Sequence, residues 1–519
     1  MNGDLLIDQL GNGHANEHTE SYTHDFDIVI VGAGVSAITA AYQVQHCLPH
    51  VTYTILEGRH ELGGTWSLFK ASFEFEVNIQ QYPGIRSDSD LHTYGFSFNP
   101  WDKPNPIATG ESITKYMRST TRKFGIDKNI SFKHKVTAAD WRSDEQRWRL
   151  EVDNEGRRKV YWAKFVIMGT GYYDYEKPLK ADIPGLECFQ GIRVHPQFWP
   201  EDLDYKGKKM VIIGSGATAV TILPAVVENG VGSVTQLQRS PGYIFNMPQQ
   251  KPGDPLPYYQ RVLPRWMVLK WLRFQFVLGP YILYLLCRTF PNFMRWFIRS
   301  QAKKALPKGF PMDPSLQPNY NPWDQRLCFV PDNDFFSAFH TGRARIVTDT
   351  IKAVTEDGIE LNSGEKLEAD IIVTATGLNL QVCGGIPITL DGKPVHLPDC
   401  YAWRATMVSG VPNLALIIGY INASWTLGAD SSSRLIVRLY KYLEDNKYSN
   451  ATPHISEEEK KDPVQMLNLK STYVKAGNSK VPHAGKTGPW KPRENYFFDS
   501  WSANRARLED GLEFGKVAT

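Results

Sequence analysis

Two glycine-rich turns carry residue types suited to holding nucleotide phosphates: Gly32-x-Gly34-x-x-Ala37 and Gly214-x-Gly216-x-x-Ala219. The first glycine of each permits a tight turn, and the second lets a pyrophosphate reach the backbone. The alanine lets helix and strand close up, and the amides of the following helix face the anion. Each turn follows a β-branched run, 27–31 or 208–213, and each unit ends in a second strand, 52–56 or 233–238. The side chain at the end of that strand differs in sign. Glu57 stands 25 positions after Gly32, where a carboxylate can accept from both hydroxyls of an adenosine ribose. Arg239 stands 25 positions after Gly214, with Thr218 and Ser240 in the same unit, and a guanidinium there suits a 2′-phosphate. The two units read as sites for two dinucleotides, one of them 2′-phosphorylated.

Between them lies Phe189-Gln-Gly191-Ile-Arg-Val-His195-Pro-Gln-Phe-Trp199-Pro200, where Gly191 interrupts regular structure and the two prolines stiffen the chain beyond it. Gly63-Gly64-Thr65-Trp66, Tyr82-Pro-Gly84-Ile-Arg86-Ser-Asp88-Ser-Asp90, Phe96-x-Phe98-x-Pro100-Trp101 and Asn321-Pro-Trp323-Asp324-Gln-Arg326 complete the set. Together these resemble the Baeyer–Villiger monooxygenases, flavin enzymes related to the flavin-containing monooxygenases. The likeness is to the branch containing the ethionamide-activating monooxygenase and runs from about Asp27 to beyond Arg434.

The resemblance implies FAD in the first unit and NADPH in the second. It implies that Gly64, Thr65, Trp66, Asp88 and Tyr94 approach the flavin ring, and that Asn422 stands before a helix whose N-terminus faces it. Arg326 is then the active-site cation, oriented by Asp88, and Phe189, His195 and Trp199 couple domain movement to cofactor exchange. The implied reaction uses O2 to form a C4a-peroxyflavin, which attacks a lipophilic ketone to give an ester or lactone. A sulfur- or nitrogen-oxidising flavin monooxygenase shares the fold and cofactors, and an inactive membrane-associated flavoprotein is the rival of another class. Two departures stand out. Ala71–Gln81 is an insertion, open to reading as a surface excursion, a retained short intron or a disabling lesion. Gln325 stands where many members of the family have a lysine that assists the 2′-phosphate.

The elements that must position these residues form a two-domain α/β protein with one dinucleotide domain inserted in the other. A polar tail, 1–25, is expected to be disordered. The FAD domain spans 26–185 and resumes over 366–445. The NADPH domain spans 186–365 and carries a helical insertion at 255–311. Residues 446–519 form a polar, basic extension to which no chemistry is assigned.

Composition narrows the class. With 42% hydrophobic and 22% charged residues the chain reads as soluble and globular, and a net charge of +3 implies no nucleic-acid partner. The six cysteines are never closer than seventeen positions, which leaves no metal cluster and no Cys-x-x-Cys pair, and so excludes a disulfide reductase. They read as buried thiols of a reducing, cytoplasmic compartment, and the amino-terminal stretch resembles neither a signal nor a transit peptide. From Arg261 to Lys308 there are ten Lys or Arg and no acid, interleaved with aromatics. That segment reads either as a helical wall of a substrate entrance or as a face resting on an anionic membrane.

Overall fold

The computed structural model describes residues 23–68, 79–80, 82–250, 254–255, 257–467, 474 and 477–516. Most of the expected tail lies outside the described residues, as do 71–78 and 81 of the insertion. The first strand opens at Thr23, ahead of the expected boundary, because Thr23–Phe26 pair in parallel with Val160–Ala163.

The first sheet has the strand order Lys393–Pro394, Ile388–Leu390, Lys135–Arg142, Arg147–Asn154, Arg157–Met168, Thr23–Val31, Tyr53–Leu56 and Ile130–Ser131. Leu414–Leu416 also joins Arg157–Met168 in parallel. Ile28, Val29 and Ile30 are fully buried on both faces, as a continuous β-branched run requires in a covered parallel sheet. One face packs on the helices Val35–Cys47 and Trp425–Asp445, whose apolar residues share a single core with Phe165, Trp101 and Trp403.

The second sheet is parallel throughout, in the order Ala344–Thr348, Ser233–Gln238, Lys209–Ile213, Ile371–Thr374 and Ile192–Val194. Ile371–Thr374 therefore pairs within the NADPH-type unit, so the return crossing falls after Thr374 rather than at 366. The two crossings are tied to one another. Asp174 N–H donates to Asn379 O at 2.8 Å and Gln381 N–H donates to Tyr172 O at 3.0 Å. Gln197, inside the Phe189–Pro200 linker, donates through Nε2 to the carbonyls of Asp174 and Tyr175, each at 3.0 Å. Gly191 is glycine because a Cβ there would lie 2.5 Å from both Asp370 O and the Phe189 ring.

Residues 446–516 are built into the first domain. Asn450–Pro453 pairs with Leu512–Gly515, and Arg438, on Trp425–Asp445, donates to Ala503 O at 2.7 Å in the helix Tyr496–Arg505. The described residues of the 255–311 insertion form three helices, Tyr258–Val262, Arg265–Thr289 and Pro291–Ala305. No helix among the described residues is long and apolar enough to cross a membrane. Cys287, Cys328 and Cys383 are buried, but Cys47 and Cys188 are exposed, contrary to the expectation for all six; Cys47 stands at the exposed end of an otherwise largely buried helix and Cys188 lies in a surface turn.

The Tyr82-Pro-Gly-Ile loop meets the second domain at its helix Ala217–Glu228. Gly84 has φ +77°, and a Cβ there would stand 2.7 Å from Ala225 Cβ and 2.9 Å from Thr221 O. Gly84→Ala combines a left-handed backbone with overpacking, so it is expected to destabilise the domain contact by about 1–3 kcal/mol. Thermal unfolding should show a lowered midpoint; an unchanged midpoint would mean that the loop and helix separate at no cost.

Candidate active site

The first dinucleotide site is shaped by close backbone approach. Gly32 turns at φ +93° at the end of its strand, and Gly34 caps the helix Val35–Cys47. Gly34 faces Gly64: a Cβ on Gly64 would lie 3.0 Å from Gly34 Cα. Ala37, fully buried, fills the space against Gly169, where any Cβ would come within 2.8 Å of its own. Glu57 is buried, with Oε2 accepting from Ala33 N–H at 2.7 Å and Oε1 from Arg59 N–H at 3.0 Å. The carboxylate is thereby fixed beside the glycine turn. A bare backbone groove, a helix N-terminus and an anchored acid at its edge fit the pyrophosphate and ribose of a bound dinucleotide.

Three residues expected at the flavin ring stand near one another. Thr65 Oγ1 and Tyr175 OH are 3.1 Å apart, and Trp66 Nε1 donates to Tyr94 OH at 2.6 Å. Burial raises the Tyr94 phenol well above its ordinary range, so it stays protonated. Trp425 begins the long helix and donates to Ser36 Oγ at 2.8 Å while its ring stacks on Tyr172 at 4.8 Å.

The second site repeats the plan with more room. Gly214 must be glycine, because a Cβ would lie 2.3 Å from Ala375 O, whereas nothing stands within 4 Å of a Cβ on Gly216. The amides of Ala217–Glu228 are therefore open to an anion. Ala219 is buried in the domain core. Thr218 hydrogen-bonds Tyr82 and so belongs to the domain contact as well as to the glycine turn. Arg239 is exposed at the end of its strand, and Ser240 O accepts from Ser215 Oγ at 2.7 Å.

Where Asp88 of the first domain meets Arg326 of the second lies a cavity with about 910 Å³ of atom-free space, part of it open to solvent. Its wall includes the charged pair Asp88 and Arg326. Arg326 Nε lies 2.8 Å from Asp88 Oδ2 and Nη2 donates to Oδ1 at 3.0 Å, a bidentate pair, while Nη2 also donates to Ser89 Oγ at 2.7 Å. Arg326 Nη1 reaches Ile421 O at 3.4 Å, and Asn422 O accepts from Trp323 Nε1, which brings the 417–425 segment to the same wall. Arg86, two residues before Asp88, makes a second bidentate pair with Asp334, one contact at 3.1 Å. Burial raises the Asp334 carboxyl, with Arg86 pulling the other way. Each pair joins the two domains, with opposite polarity.

Ser89, Asp90, Thr93, Ser424, Glu494 and Asn495 add polar groups, and the opposite wall is largely aromatic. Phe276, Pro280, Tyr281 and Tyr284 come from Arg265–Thr289, and Tyr496 and Phe497 come from the carboxy-terminal helix. Pro280 removes the donor that would pair with the Phe276 carbonyl, so the helix runs on there with one backbone hydrogen bond fewer beside the cavity. Sequence reasoning missed the carboxy-terminal contribution. Its available signal was the run Tyr496-Phe-Phe-Asp-Ser-Trp501, too aromatic for a solvated tail. It also missed Gln197, which lies within a motif read only for its ring-bearing residues. His195 accepts from Gln197 N–H through Nδ1, and burial lowers its pKa, so its ring serves as a cap at this junction.

Fold and site together define a two-dinucleotide flavoprotein with a partly aromatic cavity where its domains meet. A family profile described as flavin-binding monooxygenase-like matches residues 26–253. The chain is 43% identical over 498 residues to the FAD-containing monooxygenase EthA of Mycolicibacterium smegmatis, covering 95% of this chain and 98% of that protein. It is 41% identical over 492 residues to the probable FAD-binding monooxygenase AlmA of Acinetobacter baylyi, covering 94% and 96%. Among solved structures it superposes on an oxidized steroid monooxygenase bound to NADP with a TM-score of 0.69 at 19% identity, covering 95% of this chain and all of that one. The chain belongs to the flavin-binding monooxygenase-like family.

Asp90 also borders the cavity. It caps the short helix Leu91–Tyr94, accepting from Thr93 N–H at 2.8 Å and Thr93 Oγ1 at 2.7 Å, and burial pushes its carboxyl up to about 6. The folded pKa lies above the unfolded one, so the stability contributed by the protonated form is present below about pH 4 and is lost as pH rises through about 6. A gap of about 2 units corresponds to about 3 kcal/mol. Asp90→Asn retains the cap and removes the ionisation. It should therefore raise the unfolding midpoint at pH 8 and leave it little changed at pH 4, and equal shifts at both would show that ionisation of Asp90 carries no cost.

Proposed function

We propose that the protein uses FAD and NADPH to insert one oxygen atom of O2 beside the carbonyl of a lipophilic ketone, giving an ester or lactone. The observation that carries this reading is the Arg326–Asp88 pair set in the wall of a cavity whose facing side is largely aromatic. FAD, when bound, supplies electrons from NADPH to oxygen. Arg326 presents donors that stabilise negative charge developing on the oxygens during attack on the carbonyl. Asp88 holds the guanidinium in plane through two hydrogen bonds and moderates its charge. Phe276, Tyr284 and Phe497 exclude water and favour an uncharged, greasy substrate. Arg239 accounts for a preference for the 2′-phosphorylated cofactor. The linker Phe189–Pro200, joined to both crossings through Gln197, fits a hinge that turns with the second domain.

Arg326→Ala tests the assignment. Reduction of bound flavin by NADPH should stay close to wild type, because hydride transfer depends on stacking and alignment. Ketone oxygenation should fall by about 10²–10³, the usual effect of removing one oxyanion donor. NADPH should then be consumed with release of hydrogen peroxide. Retained ketone turnover would remove Arg326 from the chemistry, and a wild-type enzyme that oxidises sulfides but no ketone would convert the reading to a heteroatom oxygenase.

Arg239→Ala tests cofactor choice. Losing a charge-assisted contact typically costs about 1.5–3 kcal/mol, so KM for NADPH should rise about tenfold to a hundredfold while KM for NADH changes little. Equal changes would show that Arg239 reads no phosphate.

A further inference from the structure

Exposed apolar surface is concentrated on this protein. Of the seventeen exposed large hydrophobic side chains among the described residues, all but Ile192 fall in 258–296 or 497–501. On Arg265–Thr289 the outward stripe Met267, Trp271, Phe274, Ile282 and Leu285 recurs at helical spacing. Phe293 and Trp296 continue it on Pro291–Ala305, and Phe498 and Trp501 add to it from the carboxy-terminal helix. Singly scattered hydrophobic residues need no explanation; a patch assembled from three helices does.

The patch lies over the cavity. Tyr281 and Phe497 pack with ring centroids 5.5 Å apart and line the cavity on their inner sides, and Phe497 is itself 42% exposed. One helix thus shows the oxygenation cavity its Phe276, Pro280 and Tyr284, and shows the exterior its Trp271 and Phe274. The surroundings are basic. Arg261, Lys270, Lys303, Lys304 and Lys308 are exposed, and no acid occurs between 261 and 308. Lys270 sits 5.1 Å over the Trp266 ring, a pairing of cation and indole suited to a headgroup layer. Several acids that lie near these helices are engaged: Asp324 with Arg288, Asp313 with Arg299, Glu494 with Lys491, and Asp499 with the Tyr420 hydroxyl.

We infer that this three-helix face docks on an anionic phospholipid leaflet, with the outer stripe among the acyl chains, the cations at the headgroups and the cavity mouth opening toward the lipid. The substrate would then be a ketone dissolved in the bilayer, entering between Tyr281 and Phe497 without crossing water. Charge complementarity selects an anionic surface over a neutral one. The absence of a spanning helix among the described residues makes the attachment peripheral and reversible. This inference rests on the oxygenase reading only for the substrate, and the two are separable by experiment.

The holoenzyme should cosediment with vesicles of phosphatidylcholine containing phosphatidylglycerol, bind pure phosphatidylcholine poorly, and be released in part by high salt. The double variant Trp271→Glu, Phe274→Glu should lower the bound fraction about tenfold. Its KM for a long-chain ketone supplied in those vesicles should rise by a similar factor, and its kinetics on a short, water-soluble ketone should stay those of the wild type. Trp271→Phe should behave as wild type in both assays. Wild-type protein that ignores the vesicles, or a double variant that binds them unchanged, overturns the inference. So does a wild type that self-associates without binding vesicles and a variant that is monomeric, which would make the face a contact between copies. Vesicle binding in an enzyme that oxidises no ketone would leave the docking face standing and remove the substrate reading instead.

Discussion

The site depends on charge paired across a domain boundary. Arg326 belongs to the inserted domain and Asp88 to the first, so the cavity's cation is held in place only while the domains are held together. Arg86 and Asp334 repeat the pairing with the signs exchanged. Because Arg86 and Asp88 are two residues apart on one extended segment, both side chains project toward the same partner surface. A slip that carried either partner to the other's place would set like charges together. The pairs are partly exposed and each is modest in energy, with Arg326 and Asp88 about a third accessible. Their value is in register rather than in strength.

That register is backed by the chain crossings. The two crossings between domains run side by side, hydrogen-bonded from Asp174 to Asn379 and from Gln381 to Tyr172, as one strip. Gln197 fastens the Phe189–Pro200 linker to that strip. At the other end of the linker, Trp199 and Pro200 pair with Gln80 and Ile79, the last described residues of the inserted stretch before the Tyr82 loop. The linker therefore touches both the crossings and the stretch that leads to the Tyr82 loop and Asp88. Ile79 and Gln80 are thus tied by backbone pairing to the end of that linker.

Much of this was legible in the sequence where a local rule has a single physical solution. A β-branched run followed by Gly-x-Gly-x-x-Ala has to be strand, turn and helix, and both units stand where that pattern puts them, with ends displaced by two residues or fewer, apart from the Thr23–Phe26 extension of the first strand. Arg326 and Asp88, 238 residues apart, meet as the resemblance implied. What was not legible depends on tertiary context. Ile371–Thr374 reads as a buried strand in any sheet, and only its neighbours assign it to the second. The fully buried Trp490 and the cavity-facing Tyr496 sit in a segment of polar average composition, where a few aromatics outweigh many charges. Arg86 belongs to a recognisable motif, but its partner Asp334 carries no local signature at all.

The helix Arg265–Thr289 has only Val268 and Cys287 buried along twenty-five residues, one near each end. It is a beam supported at its ends. Most positions between them can change without opening a hole in the core, yet Phe276, Pro280 and Tyr284 shape the cavity. Innovation and foldability are thus decoupled: descendants of this gene can drift in what they accept, one substitution at a time, while the oxygen chemistry is inherited intact.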